Sequence, residues 1–383
     1  MPAFKRKIFY LSGFDPRGAR FYQQLYTEQA ALYGATAGRT VTVGSRRREP
    51  PHSAAWTIRD SAADTDADAA GGGETDYVFL GWDDVVRAHW VKNPIALLGH
   101  SIRAYWNFTR RVDWSIVHQF HSGVKIAFYY PGISTIFLPI LFMLLLCAPL
   151  VGFLGWGWGL LAAAILGTGI ALWVVKRIQG FWLLRFIIFN DILARDRLPP
   201  DVDARMATFA DTIRASLDED WDEILLVTHS NGSILAMPIM ARLLEACDGR
   251  LPDRFGLVTL GSSIPLIGAR RDSRRFRAQL DQVAQGEFRW LDVNSVTDGA
   301  CIAGIDPCIG GPTRPAGLFQ TSPRWFRYCD PQQYETRRRN KYETHFDYLR
   351  TFDRISPLDY LAISSGSRPL AASIAAFRAE NDV

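Results

Sequence analysis

From Ile126 to Val175 the chain carries no charged residue, a run of 50 positions. A helix crossing a bilayer needs about 20 apolar residues, so the run is far too long for one span and suits a hairpin of two. The segment "GFLGWGWG" (Gly152 to Gly159) supplies the turn. Its glycines interrupt a helix, and Trp156 and Trp158 suit a membrane–water boundary. Spans are expected near residues 132–152 and 158–176. A buried helical hairpin in a soluble protein is the alternative solution. Arg110, Arg111 and Lys125 precede the run, and Lys176, Arg177 and Arg185 follow it. By the positive-inside rule both ends of the hairpin face the cytoplasm, and with them both soluble segments. The expected location is the inner (cytoplasmic) membrane.

The other bulk properties narrow the class. At 48% hydrophobic residues the 383-residue chain has material for a substantial core, which excludes a disordered protein. A net charge of +4 gives no case for nucleic-acid binding. Five scattered cysteines do not make a secreted disulfide framework and fit a reducing compartment. Cys301, Cys308 and Cys329 could hold a metal with a histidine, but no CxxC pair supports such a site, and no metal or organic cofactor is expected. The N-terminal "MPAFKRKIFYLSGF" has only a short apolar run and no A-x-A-like cleavage site, so no signal peptide is expected.

Around the hairpin, short β-branched and aromatic runs alternate with helical patterns. "KRKIFYLSGF" reads as a strand ending at Gly13, and "PRGARFYQQLYTEQAALYG" as a helix stopped by Gly34. "RTVTVG", "SAAWTIRD" and "DYVFLGW" read as strands, with a polar, mobile loop "SAADTDADAAGGGET" between the last two. Residues 82–120 look helical and lead to the membrane. "FWLLRFIIFNDIL" (Phe181 to Leu193) suggests an amphipathic interfacial helix. Beyond it come a helix, the strand "EILLVT", the helix "GSILAMPIMARLLEACDG" stopped by Gly249, and the strands "RFGLVTLGS" and "EFRWLDVNS". Such alternation predicts an α/β fold on a mostly parallel sheet, with residues 1–120 and 196–383 forming one domain around a membrane insertion at 121–195.

The stretch "EILLVTHSNGSILA" places Ser230 on a tight turn between strand and helix. Such a turn thrusts a hydroxyl out of a sheet's carboxyl end, and the N–H of Asn231, at a helix N-terminus, can face a developing oxyanion. "VTHSNG" resembles the nucleophile elbow of the α/β-hydrolase family, G-x-S-x-G, with Gly232 in place and Thr228 where the family has glycine. The resemblance covers about two-thirds of the chain and extends to the order of parts. "IFYLSGFDPRG" looks like the family's oxyanion strand, with Ser12-Gly13 in place of His-Gly, which implies the Phe14 N–H as second oxyanion donor. Of the seven histidines only His345 follows Ser230, where the family's base falls. Asp298, just past the strand "FRWLDV", matches the family's acid; Asp306 is its rival, and Asp292, inside the strand, reads as structural. The resemblance implies a Ser230–His345–Asp298 triad acting through an acyl-enzyme.

"GHSIR" around Ser101 mimics an elbow, but Arg103 occupies the position that must be small, so Ser101 reads as part of a membrane-proximal helix. Residues 324–350 and 270–277 interleave arginine with aromatics; a solvated basic face is the simpler reading, a contact for anionic headgroups the functional one. Tethering to the inner leaflet favours lipid-like esters or thioesters. The competing class is a non-catalytic membrane scaffold that keeps the fold. A transporter is disfavoured, because two spans without intramembrane charge offer no substrate path. Protein partners and the substrate head group are not legible.

Overall fold

The computed structural model of the protein describes residues 3–62, 72–309, 311 and 313–382. The chain runs β1 (Phe4–Leu11), α1 (Ala19–Ala37), β2 (Arg39–Val43), β3 (Arg47–Glu49), β4 (Ser53–Ala62) and β5 (Gly73–Leu80). It continues through α2 (Asp83–Ala88), α3 (Pro94–Arg111), α4 (Trp114–Val117), α5 (Ser122–Leu154), α6 (Trp156–Arg177), α7 (Gly180–Leu193) and α8 (Pro200–Ser216). Then come β6 (Glu223–His229), α9 (Gly232–Ala246), β7 (Phe255–Leu260), α10 (Ile264–Gly268), α11 (Arg274–Gln285), β8 (Arg289–Val293) and β9 (Leu318–Thr321). Short helices α12 (Trp325–Tyr328), α13 (Pro331–Arg337) and α14 (Lys341–Thr344) precede α15 (Tyr360–Ser365) and α16 (Leu370–Asn381). Most of the expected loop between β4 and β5 lies outside the described residues.

The contacts divide the chain into two units, one of residues 1–88, 113–121 and 194–383, the other of residues 89–112 and 122–193. The first is an α/β layer built on one sheet in the order β2-β4-β5-β1-β6-β7-β8-β9, with β3 beside β4. From β5 to β9 every pairing is parallel, but β2, β3 and β5 each pair with β4 antiparallel. The sheet is therefore mixed. The expected mostly parallel pattern fails at the N-terminal edge because β4 follows β2 and β3 through short connections, which cannot hold the crossover a parallel pair needs.

β6 lies between β1 and β7 and is buried over its whole length. That double coverage explains the continuous apolar run, which a one-sided strand would break by alternation. One buried cation enters this region. Arg6 Nε donates to Glu223 Oε2 at 2.7 Å, while its other nitrogens donate to the carbonyls of Gly366 and Arg368. Glu223 Oε1 accepts the Leu370 N–H at 2.7 Å, so one ion pair ties the C-terminal segment to the central strands. Helix α1 runs past Gly34 to Ala37 and stops at Gly38, whose φ of 64° is the left-handed cap. Gly34 answers a packing need instead: a Cβ there would lie 2.8 Å from the Arg39 carbonyl.

In the second unit α5 and α6 are two helices long and apolar enough to cross a membrane. The most apolar stretch of α5 is wholly unburied within the protein, unlike the core helix of a soluble domain. Gly155, at φ 78°, makes the turn between them. The buried residues of α6 are Gly159, Ala163, Gly167, Ala171 and Val175, one every four positions. Small residues at that spacing let two backbones approach closely, and a Cβ on Gly167 would sit 2.6 Å from the Met143 nitrogen. Helix α7 corrects the expected amphipathic interfacial helix. It is buried on most of its length and packs with α3 and α5, which is where a segment apolar all round belongs.

Candidate functional site

Strand β6 ends at His229, Ser230 takes a φ of 56°, and α9 begins at Gly232. A left-handed conformation costs a non-glycine residue about 1–2 kcal/mol and persists only where its surroundings enforce it. Here the Ser230 N–H donates to the Leu260 carbonyl at 2.9 Å. Its own carbonyl accepts from the Ser233 N–H at 3.0 Å and from Ser233 Oγ at 2.6 Å.

Two glycines permit the approach of neighbouring chain. A Cβ on Gly232 would lie 2.4 Å from the Leu11 carbonyl oxygen, and one on Gly13 would lie 2.9 Å from Ser230 Cβ. The turn after β1 is thus packed directly on the serine. Thr228 is accommodated because its hydroxyl turns toward β7, donating to the Val258 carbonyl at 3.4 Å. Phe14 sits in a three-residue turn closed by the Asp15 N–H on the Gly13 carbonyl at 2.8 Å. Asn231 caps α9, which puts its N–H at the helix N-terminus beside Ser230.

His345 follows α14, and its Nδ1 lies 2.8 Å from Asp298 Oδ2. The other oxygen of Asp298 accepts the Ala300 N–H at 2.8 Å. Burial would raise the pKa of Asp298, but the adjacent His345 and these hydrogen bonds outweigh it and hold the carboxyl below its usual range. An ionised carboxylate can only accept, so the Nδ1 facing Asp298 carries a proton and Nε2 is the nitrogen left on the far side of the ring. That Nε2 is buried and has no hydrogen-bond partner among the described residues. No bond joins it to Ser230 Oγ among the described residues; such bonds often close only in a Michaelis complex.

His229 holds His345 in place, a contact with no signal in the sequence. Its Nε2–H donates to the His345 carbonyl at 2.7 Å, and the two rings lie 4.8 Å apart. Burial, reinforced by His345, depresses the His229 pKa to about 3, so it stays neutral and keeps that donor. In the sequence it is simply a histidine adjoining Ser230; its partner lies 116 residues away.

The loop bearing Asp298 is braced too. The Tyr348 hydroxyl accepts the Ser295 N–H at 2.9 Å and lies 3.3 Å from Cys301 Sγ. Burial pushes the Cys301 thiol well above its ordinary pKa, making it a packing group without thiolate character.

The remaining candidates lie elsewhere. Asp306 accepts the Cys308 N–H and faces Arg314, and the carboxylate bonded to His345 is Asp298. Asp292 is buried in β8, bonded to Thr259, Asn294 and Gln320, with burial raising its pKa to about 6. Ser101 lies inside α3 and donates to the Leu97 carbonyl one turn back, so it occupies no elbow. Among the described residues no three histidine, cysteine or acidic side chains gather as a metal site, and that includes Cys301, Cys308 and Cys329. In the basic segments, Arg337 and Arg350 pair with Asp347, and Arg270 with Asp272, which makes them braces of the fold.

Among the described residues, Ser12 Oγ and both polar atoms of the Asn231 side chain are buried without partners, like His345 Nε2. Asn231 follows Ser230 in the chain, Ser12 precedes the Gly13 that packs on it, and His345 lies against the neighbouring His229. Unpaired buried polar groups cost about 1–3 kcal/mol each, a cost that polar atoms of a bound molecule would relieve here. Compared with protein-family models, with curated proteins and with solved structures, the chain shows no significant match.

Proposed function

We propose that the protein is a membrane-tethered serine hydrolase of α/β-hydrolase type that cleaves a lipid-like ester or thioester. One observation carries the reading: His345, oriented by Asp298, packs on His229, the residue that precedes a serine in a left-handed turn between strand and helix. The run of parallel strands from β5 to β9, with Ser230 leaving the carboxyl end of one inside it, supports the hydrolase comparison.

In the proposed reaction His345 Nε2 takes the Ser230 Oγ proton as Oγ bonds to the substrate carbonyl carbon. The carbonyl π electrons move to oxygen, which faces the N–H groups of Asn231 and Phe14. Collapse expels the alcohol or thiol, which leaves with the proton from His345. Water then attacks the acyl-enzyme, giving its proton to His345, and a second collapse frees the acid and restores Ser230. Asp298 stays ionised throughout and stabilises the imidazolium.

The two apolar helices belong to the same chain as the serine turn, which they would tether to a bilayer. Basic residues at both ends of the hairpin support a cytoplasmic site on the inner membrane, which favours substrates that partition into the bilayer. Labelling of detergent-solubilised protein with a fluorophosphonate tests the chemistry. Wild type and Ser101→Ala should label, while Ser230→Ala and His345→Ala should not. Folded wild type that takes no label, beside a serine hydrolase that does, would turn the reading to a non-catalytic scaffold.

A further inference from the structure

Helix α3 buries Leu97, Ser101, Ala104 and Phe108 on one face. The opposite face exposes Ile95 (82%), Leu98 (41%), Ile102 (55%) and Trp106 (61%). Those spacings of three and four residues make one apolar stripe along the helix. Arg103 and Arg110 lie seven apart in a row beside it, and the Arg110 guanidinium covers the Trp106 ring at 4.9 Å. Four large apolar side chains in one stripe, edged with arginine on a single helix, is the pattern of a helix lying in a bilayer surface.

The depth of α3 within its unit argues the same way. Its Tyr105 hydroxyl donates to the Phe128 carbonyl at 2.7 Å and accepts the Gly132 N–H at 3.2 Å. Phe108 packs on Phe128 with ring centroids 4.3 Å apart. α3 is therefore docked on α5 just after Ile126, where the charge-free run begins. The run's other end is at the same level, because the Tyr130 hydroxyl donates to the Ile178 carbonyl at 2.7 Å. A helix fixed at the boundary between charged and uncharged chain sits where headgroups would be.

We propose that α3 is an in-plane membrane helix whose stripe enters the acyl boundary of the cytoplasmic leaflet and whose Arg103 and Arg110 bind the phosphates of anionic lipids. The inference rests on the membrane part of the reading above and is independent of catalysis. It moves the interfacial role from α7, which is buried, to α3.

The test uses the full chain in phosphatidylcholine vesicles with or without phosphatidylglycerol. Flotation with the vesicles checks the spans first; a chain that fails to float overturns both the membrane reading and this proposal. For protein that floats, the fluorescence difference between wild type and Trp106→Phe isolates one indole. We expect that signal to be quenched by lipid brominated near the top of the acyl chain and shielded from aqueous iodide. The reverse pattern overturns the proposal while leaving the spans intact. In the second arm, Arg103→Gln/Arg110→Gln should retain about 30-fold less phosphatidylglycerol relative to phosphatidylcholine. That is about five-fold per arginine, from about 1 kcal/mol per cation at an anionic surface. Unchanged retention would refute the phosphate contacts.

Discussion

Gly232→Ala probes how closely the serine turn depends on packing against β1. The new Cβ would sit 2.4 Å from the Leu11 carbonyl oxygen and 2.8 Å from that of Ser12, both backbone atoms. Real contacts of this kind almost never fall below 3.0 Å, so the start of α9 and the end of β1 must part by at least 0.6 Å. Overpacking of this sort costs about 1–3 kcal/mol in stability. The displacement falls on the residue next to Asn231, whose N–H is the proposed oxyanion donor. A misplacement near 1 Å costs about a hundred-fold in rate, so a ten- to hundred-fold slower fluorophosphonate reaction is expected. Gly249→Ala is the control. Gly249 has a φ of 82° and nothing within 4 Å of its added Cβ, so backbone strain of about 1 kcal/mol should appear without change in labelling. Equal labelling rates for wild type and Gly232→Ala, at equal thermal stability, would refute the claim that this contact sets the geometry of the turn.

Because Ser230 is held at φ 56°, Ser230→Gly should be more stable than Ser230→Ala by about 1 kcal/mol in thermal unfolding, although neither should label. A less stable glycine variant would contradict stored strain there. The folded-state pKa of His229 is depressed to about 3, so between that value and the unfolded value near 6.5 the unfolded chain binds the extra proton. Its contribution is whole above pH 6.5 and is lost on acidification, by about 2 kcal/mol at pH 5. Buried Asp292 and Asp359, raised to about 6 and about 7, slope the opposite way, so the readout is the difference between wild type and His229→Gln. Parallel stability curves for the two proteins would show that His229 is not buried neutral. Arg6→Ala leaves the Glu223 carboxylate buried and takes donors from two carbonyls, and should destabilise by about 3–5 kcal/mol; a loss under 1 kcal/mol would mean water reaches that carboxylate.

Local pattern made several elements legible. The charge-free run, the buried β6 and the helix after Gly232 each follow from periodicity, length or turn chemistry within about 20 residues, where neighbours along the chain dominate. β3, three residues long, lacked any such signal. Other features depend on which segments meet. Gly34 looked like a helix stop but is a packing contact with the chain returning into β2. α7 looked interfacial until α3 and α5 covered it, because hydrophobicity alone does not say what a helix is buried against.

The candidate site divides the same way. Ser230 stood out because a serine on a tight turn between a buried strand and a helix is a local motif. Asp298 and His345 could be ranked only by their order in the chain. That the carboxylate and imidazole atoms meet at 2.8 Å across 47 residues, and that His229 donates to the His345 carbonyl, are facts of tertiary structure. The sequence by itself determined an α/β chain with two apolar helices and a serine turn, since backbone hydrogen bonding and burial act on short stretches. Only the fold decided which acid faces which base and where the sheet turns antiparallel. It also decided which helix is left with an open apolar stripe, since loop closure lets residues far apart in sequence compete for the same contact.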